Sequence, residues 1–325
     1  MHPLPASSAR GEPPLSADWI IRWIVIAAIA VIDGIWLWAR GVHFVTEPLG
    51  ASFIIAGLLL ASCLAFSLVA QRKRSLSTVL LGTSDFFYSL TQLLLMAPPV
   101  LTLSYLAASL NLPLADGFLA RADAVVGFDW TSVSAWISSM PWLSATLTFT
   151  YTTIMWQPFL VMFLTSVNAP GSANSEFIWT FLLSGLVAIA ISGLVPALGY
   201  EGVIGPPHID ALRSIREGAW TTLDIRQLDG IITFPSFHAS VGILFLYSVR
   251  RIRWAFCILA PLNVALILST PTVGGHYLVD VIAGILVASL SVALVRRLRA
   301  WSSRQSIEWI AWLPGALAPE VGPER

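Results

Sequence analysis

Long apolar runs separated by short polar breaks dominate the 325-residue chain. "WIVIAAIAVIDGIWLW" (residues 23–38) and "GILVASLSVALV" (residues 284–295) are two of them. A helix that crosses a bilayer needs about 20 predominantly apolar residues. Applied along the chain, that measure predicts about eight spans: 18–38, 49–70, 86–107, 143–166, 177–198, 235–249, 254–268 and 276–295. The sixth and seventh are short. The expected fold is all-α, a polytopic transmembrane helical bundle. Between the third and fourth spans, residues 111–141 mix apolar and acidic positions. They predict an amphipathic helix at the membrane interface, with Trp130 and Trp136 as anchors.

Composition supports the membrane reading. The chain is 56% hydrophobic and 11% charged, with mean hydropathy +0.78. A soluble domain is about 25% charged. Zero formal net charge gives no reason to expect a nucleic-acid partner. Cys63 and Cys257 lie inside apolar runs and read as buried thiols. The N-terminal run reads as a retained anchor, because no small-residue cleavage site is placed as in a signal peptide.

Cytoplasmic loops carry excess Lys and Arg. "QRKRS" (71–75), "RRIR" (250–253) and "RRLRAWSSR" (296–304) fall on one side of an eight-span chain, together with the N-terminus. Both termini are therefore expected in the cytoplasm. The segments "ITFPSFHAS" (232–240) and "GGHYLVDVIAG" (274–284) then reach the opposite, outer face together.

These two segments hold the candidate chemistry. His276 and Asp280 are four apart and share a helix face. A carboxylate there can take the Nδ1–H and leave Nε2 as a nucleophile or base. Gly274 and Gly275 allow close backbone approach to a ligand. In the other segment Ser236 is a good N-cap after Pro235. A helix beginning there would offer free N–H groups to phosphate. His238, in its first turn, could protonate a leaving oxygen. A lone histidine at a helix start is ordinarily a capping residue, and a lone His-x-x-x-Asp is a weak signal. Two such segments on one face are a stronger one. Asp280 also lies about one turn inside a span, where a carboxylate needs a partner. Asp33 reads as a helix–helix polar contact, and Asp85 as a residue near the membrane edge.

The pair "PSFH" and "STPTVGGHYLVD" resembles the second and third signature motifs of the type 2 phosphatidic acid phosphatase (PAP2) superfamily. The wording is most similar to the branch of inositol phosphorylceramide synthases and bacterial inositolphosphotransferase-like proteins. The resemblance implies a six-helix catalytic core (76–300) preceded by two additional spans (18–75). Cytoplasmic tails (1–17 and 301–325) flank them. It implies attack by His276 on phosphorus through a phosphohistidine, orientation by Asp280 and protonation of the leaving group by His238. Ser236 and Gly275 would contact the phosphate. The implied partners are a lipid phosphate and a water or alcohol acceptor. No metal and no other cofactor are implied.

The sequence departs from the family pattern at several places. Ser269-Thr270 stands where the commoner third motif has Ser-Arg, Phe237 replaces a glycine, and the first motif is absent as such. Arg213 and Arg216, in the loop 205–218, are the candidates to replace its phosphate contacts, with Arg226 third. His208 reads as loop surface. The expected protein is thus an integral-membrane lipid phosphatase or phosphotransferase of a bacterial inner membrane, with its site on the periplasmic side. Two rival readings are a metal-dependent hydrolase using His238, His276 and Asp280 as ligands, and a non-enzymatic lipid transporter or scaffold.

Overall fold

The computed structural model describes residues 17–45, 57–58, 61, 77–169, 171–200, 206–224 and 228–311. The expected second span, the cluster at 71–75, Cys63 and Arg226 lie outside them, as does the side chain of His208. Helix α1 is Ala17–Arg40, α2 Ser77–Ala108, α3 Asp116–Val125, α4 Trp130–Ser138, α5 Pro141–Thr152, α6 Gln157–Asn168 and α7 Ser172–Leu194. They are followed by α8 Pro206–Glu217, α9 Phe237–Val249, α10 Arg253–Val273 and α11 Leu278–Ala311. Two short strands, β1 (His43–Phe44) and β2 (Thr222–Leu223), pair in parallel.

Among the described residues five helices are long and apolar enough to cross a membrane: α1, α2, α7, α10 and α11. The pair α5–α6, bent by 58° across a short 3-10 turn, would make a sixth. Helix α9 has 13 residues, about 20 Å of rise, less than the roughly 30 Å of a hydrocarbon core. The segment 231–236 that precedes it is non-helical and buried or half-buried within the protein. Irregular backbone is tolerated at membrane depth only in such a setting.

Side-chain contacts fix the direction of each helix. Trp23 donates to Tyr88 at 2.9 Å, and Arg40 donates to the Ser109 carbonyl. Helices α1 and α2 therefore run parallel, which places residues 45 and 77 at opposite ends of the bundle. One end gathers the starts of α1, α2 and α7 with the ends of α6 and α9 and the later turns of α11. The other end gathers α3, α4, α8, the two strands and both histidine segments.

The core is a layer of large apolar side chains from α1, α2, α6, α7, α9, α10 and α11, with Phe177, Phe245 and Met162 among the most buried. Gly284 permits the closest crossing within it. A Cβ there would stand 2.2 Å from the Ser236 carbonyl oxygen, so α11 and the start of α9 approach only over glycine. The outer surfaces of the long helices carry Ile35, Leu286 and Leu290, as lipid-facing surfaces do.

Three expectations change. The segment 205–218, read as a loop, is the amphipathic helix α8. Leu212 and Ile215, three apart on one face, are buried in a small apolar cluster. The seventh span extends past Leu268 through Pro271. Proline removes one helical donor, and the Ile267 carbonyl instead accepts from Thr270 Oγ1 at 2.7 Å. Cys257 is exposed on α10 rather than buried, since it lies on the side facing away from the bundle.

Candidate active site

His276 sits in the turn between α10 and α11. Gly275, at φ +67°, makes that turn. The imidazole is 4% exposed. Its Nδ1 lies 2.9 Å from the Thr233 carbonyl oxygen and 3.5 Å from Asp280 Oδ2. A carbonyl oxygen can only accept, so the proton belongs on Nδ1 and the lone pair on Nε2. The orienting acceptor is thus the Thr233 main chain. Asp280 stands at a longer, electrostatic distance and directs Oδ2 to the Tyr277 amide at 2.9 Å. The His-x-x-x-Asp spacing alone predicts Asp280 as the orienting group, and the main chain at Thr233 shares that role.

His238 lies in the first turn of α9. Its ring stacks on Tyr151, with centroids 4.3 Å apart and planes within 12°. Its centroid is 6.2 Å from that of His276. Both histidines and Tyr151 line one cavity of about 310 Å³. Val100, Ile189 and Phe237 supply part of its apolar wall. Phe237 packs edge-on against Phe181 and beside Gly185, so it fills space that a glycine would leave open. The size falls at the lower end of small-molecule sites.

Ser236 is fully buried as the N-cap of α9, accepting from the Ala239 amide at 3.3 Å. It does not line the cavity. Gly275 is also buried, and its carbonyl accepts from the Tyr200 amide at 2.8 Å. The α9 amides of Phe237 and His238 precede the capped ones and have no acceptor among the described residues. Neither Arg213 nor Arg216 reaches the cavity. Arg213 is exposed and pairs with Asp210 at 3.6 Å. Arg216 donates to the Leu112 carbonyl at 2.7 Å. Ser269 and Thr270 turn their hydroxyls back onto α10 carbonyls and are fully buried.

The segment 111–141 holds what sequence reasoning missed. It forms α3 and α4, and its acids clamp the histidine turn. Asp123, fully buried, accepts from the amides of Leu278 (2.9 Å) and Val279 (3.0 Å) and from Tyr200 Oη (3.3 Å). It caps α11 from a different helix. Asp116 accepts from the amides of Leu198 and Gly199 and from Tyr277 Oη. Trp130 donates to the Pro271 carbonyl at 2.8 Å and stacks on Tyr200, while Trp136 is exposed. Asp116 and Asp123 are seven apart, two turns along one helix face. That spacing was the available signal. Burial, and secondarily Asp123, push the Tyr200 phenol up to about 12, so it remains a donor.

A PAP2 superfamily model matches residues 117–294, more than half of the chain. The chain belongs to the PAP2 superfamily. Comparison with curated proteins returned no match, and comparison with solved structures returned none either. The matched region of this PAP2 protein begins inside α3 and ends inside α11, so it contains the Asp123 clamp and both histidine segments. Superfamily membership points to phosphatase or phosphotransferase chemistry, and the long apolar helices to a membrane protein. Among the described residues no three His, Cys, Asp or Glu side chains converge as a metal site. The zinc reading of His238, His276 and Asp280 therefore gains no geometric support.

Proposed function

We propose that this PAP2 protein cleaves or transfers a phosphate ester of a lipid through a phosphohistidine on His276. The observation that carries the reading is the Nδ1 contact to the Thr233 carbonyl. It leaves the Nε2 lone pair on a ring that shares a cavity with His238. Nε2 attacks phosphorus, the N–P bond forms and the P–O ester bond breaks. The departing oxygen takes a proton from His238. In the second step His238 removes a proton from water or an alcohol, whose oxygen attacks phosphorus and releases His276. The two rings lie with centroids 6.2 Å apart on the same cavity, so one bound phosphate ester can lie beside both.

The free amides of Phe237 and His238 support a phosphate seat at the α9 N-terminus. The apolar cavity wall supports a lipid substrate. Arg250 faces Glu176 and Arg299 donates to Ser175 at the end opposite the site, and Arg251, Arg253, Arg296 and Arg297 neighbour them along the chain. By the positive-inside rule this supports a site on the outer face with cytoplasmic termini, as in a bacterial inner membrane.

The test is a panel of lipid phosphates given to the purified protein, with free phosphate and transfer products both measured. The wild type should accumulate an acid-labile phosphate. His276→Ala should lose both label and turnover, by about 10⁴-fold or more. Undiminished turnover by His276→Ala would sink the mechanism. Transfer to an alcohol in preference to water would make the protein a transferase.

A further inference from the structure

The geometry points to Tyr151 as a positioning residue for His238, a role that rests on the proposed function. Tyr151 lies in the last turn of α5, two residues before the 3-10 turn that begins at the buried Thr153. That turn is locked by buried side chains. Gln157 donates to Thr153 Oγ1 and Asn263 donates to Gln157 Oε1, both at 2.8 Å. A bend so bonded cannot slide, and it presents the Tyr151 ring to the cavity at one height.

There the ring does two things. It lies almost parallel to the His238 imidazole at 4.3 Å, which removes that ring's freedom to swing away from its neighbour His276. Its other edge rests on the turn that carries His276. A Cβ at Gly274 would stand 2.8 Å from Tyr151 Oη and 2.9 Å from Cε2. One aromatic side chain therefore touches both histidine segments and sets the distance between them. Tyr151 lies outside both motifs and makes no bond to the reacting atoms in this scheme. Its effect passes through His238.

Leaving groups separate this role from a purely structural one. An alkoxide departs only with a proton, so a misplaced His238 slows alkyl esters. p-Nitrophenolate departs as the anion and needs no acid. The full chain in nanodiscs is assayed on didodecanoyl phosphatidic acid and on p-nitrophenyl phosphate, and kcat/KM is compared, because it covers the steps up to departure of the leaving group and not the later attack of water that also uses His238. Tyr151→Leu should lose about 10- to 100-fold on the first and less than about 3-fold on the second. Tyr151→Phe, which keeps the stack, should recover most of the loss. Tyr151→Met, which keeps bulk at the site without the stack, should give the same selective loss. It decides the matter if Tyr151→Leu does not fold.

Equal losses on both esters, or no loss on either, overturn the role of Tyr151. His238→Ala separates the two levels of inference. If His238→Ala is selective against the alkyl ester and the Tyr151 variants are not, Tyr151 alone is overturned. If His238→Ala shows no selectivity, or the wild type turns over neither ester, the proposed function fails and this role with it.

Discussion

At the histidine end of the bundle, Asp116, Asp123 and Asp280 direct their oxygens mainly to backbone amides of the turns around His276. At the opposite end, Asp18, Asp85 and Glu176 bond mainly side chains. Asp18 accepts from Arg22, Ser175 and Trp179, while Asp85 accepts from Ser166 and Asn174. Glu176 accepts from Tyr247 and faces Arg250 at 3.5 Å. A carboxylate on a main-chain amide fixes the path of a loop. A carboxylate on another side chain ties helices together but leaves several rotamers free to re-form the contact. The first arrangement should therefore govern geometry at the reacting atoms, and the second should govern assembly of the bundle.

The largest test of that contrast is Asp280→Asn, which keeps an acceptor for the Tyr277 amide. In serine hydrolases, loss of the orienting carboxylate costs about 10⁴-fold because the imidazole adopts the wrong tautomer. Here the Thr233 carbonyl already holds Nδ1. The expected loss in kcat is nearer 10²-fold, about the lower bound for acid–base machinery. A loss of 10⁴-fold would show that the carboxylate, not the main chain, sets the tautomer.

Next in size is Asp123→Asn. The amide can accept through one oxygen only, so one of two buried α11 amides loses its partner. Bonds to charged groups contribute about 1.5–3 kcal/mol, which unfolding of the solubilised protein would read. Displacement of the His276 turn should also lower kcat by about 10-fold. Stability lost without any change in kcat would break the proposed link between the clamp and the site.

Much of this contrast was hidden in the sequence. Five or six long apolar helices were legible because apolar length reports the bilayer directly, while the count of eight was not, since α9 is short. His276 lies in the turn before α11 and not on a helix face shared with Asp280, whereas the helix start at His238 was legible from the Pro-Ser cap. The clamp was not, since Asp116 and Asp123 bond amides some 80 and 155 positions away along the chain. Their seven-residue spacing marks a shared helix face but not which amides that face meets. Thr233 was invisible for a plainer reason, because its contribution is a carbonyl that any residue would supply. Arg213 and Arg216 sit on α8 and neither lines the cavity, because the apolar side of that helix, with Leu212 and Ile215, is the one that packs inward. Asp33, read as a helix–helix contact, is buried with neither oxygen bonded among the described residues.

A smaller effect is expected at Tyr200, whose hydroxyl bonds Asp123 at 3.3 Å. Tyr200→Phe should cost about 0.5–1.5 kcal/mol. Because burial and then Asp123 push the folded phenol up to about 12, this contribution is fully present below the unfolded value of about 10. It is lost as pH rises toward the folded value. The stability difference between wild type and variant should stay constant from pH 7 to about 9.5 and then shrink. A difference that fell away near neutrality would mean that the phenol is not the donor in this bond.

The smallest effect on activity belongs to the opposite end. Burial alone would raise the Asp18 carboxyl, but the Arg22 guanidinium and the bonds from Ser175 and Trp179 more than reverse that, leaving it below its ordinary range. Such a group stabilises the fold above its unfolded value of about 4, and the contribution fades as pH falls through the lower folded one. Asp18→Asn leaves Arg22, 5% exposed, without its counter-charge. It should lower Tm by roughly 2–4 °C near neutral pH, with the two melting curves converging on acidification. Turnover per folded molecule should stay within about 2-fold, because surface-to-helix ties of this kind do not reach the histidine turn. A drop in kcat comparable to that of Asp123→Asn would show that the two ends are coupled through the long helices.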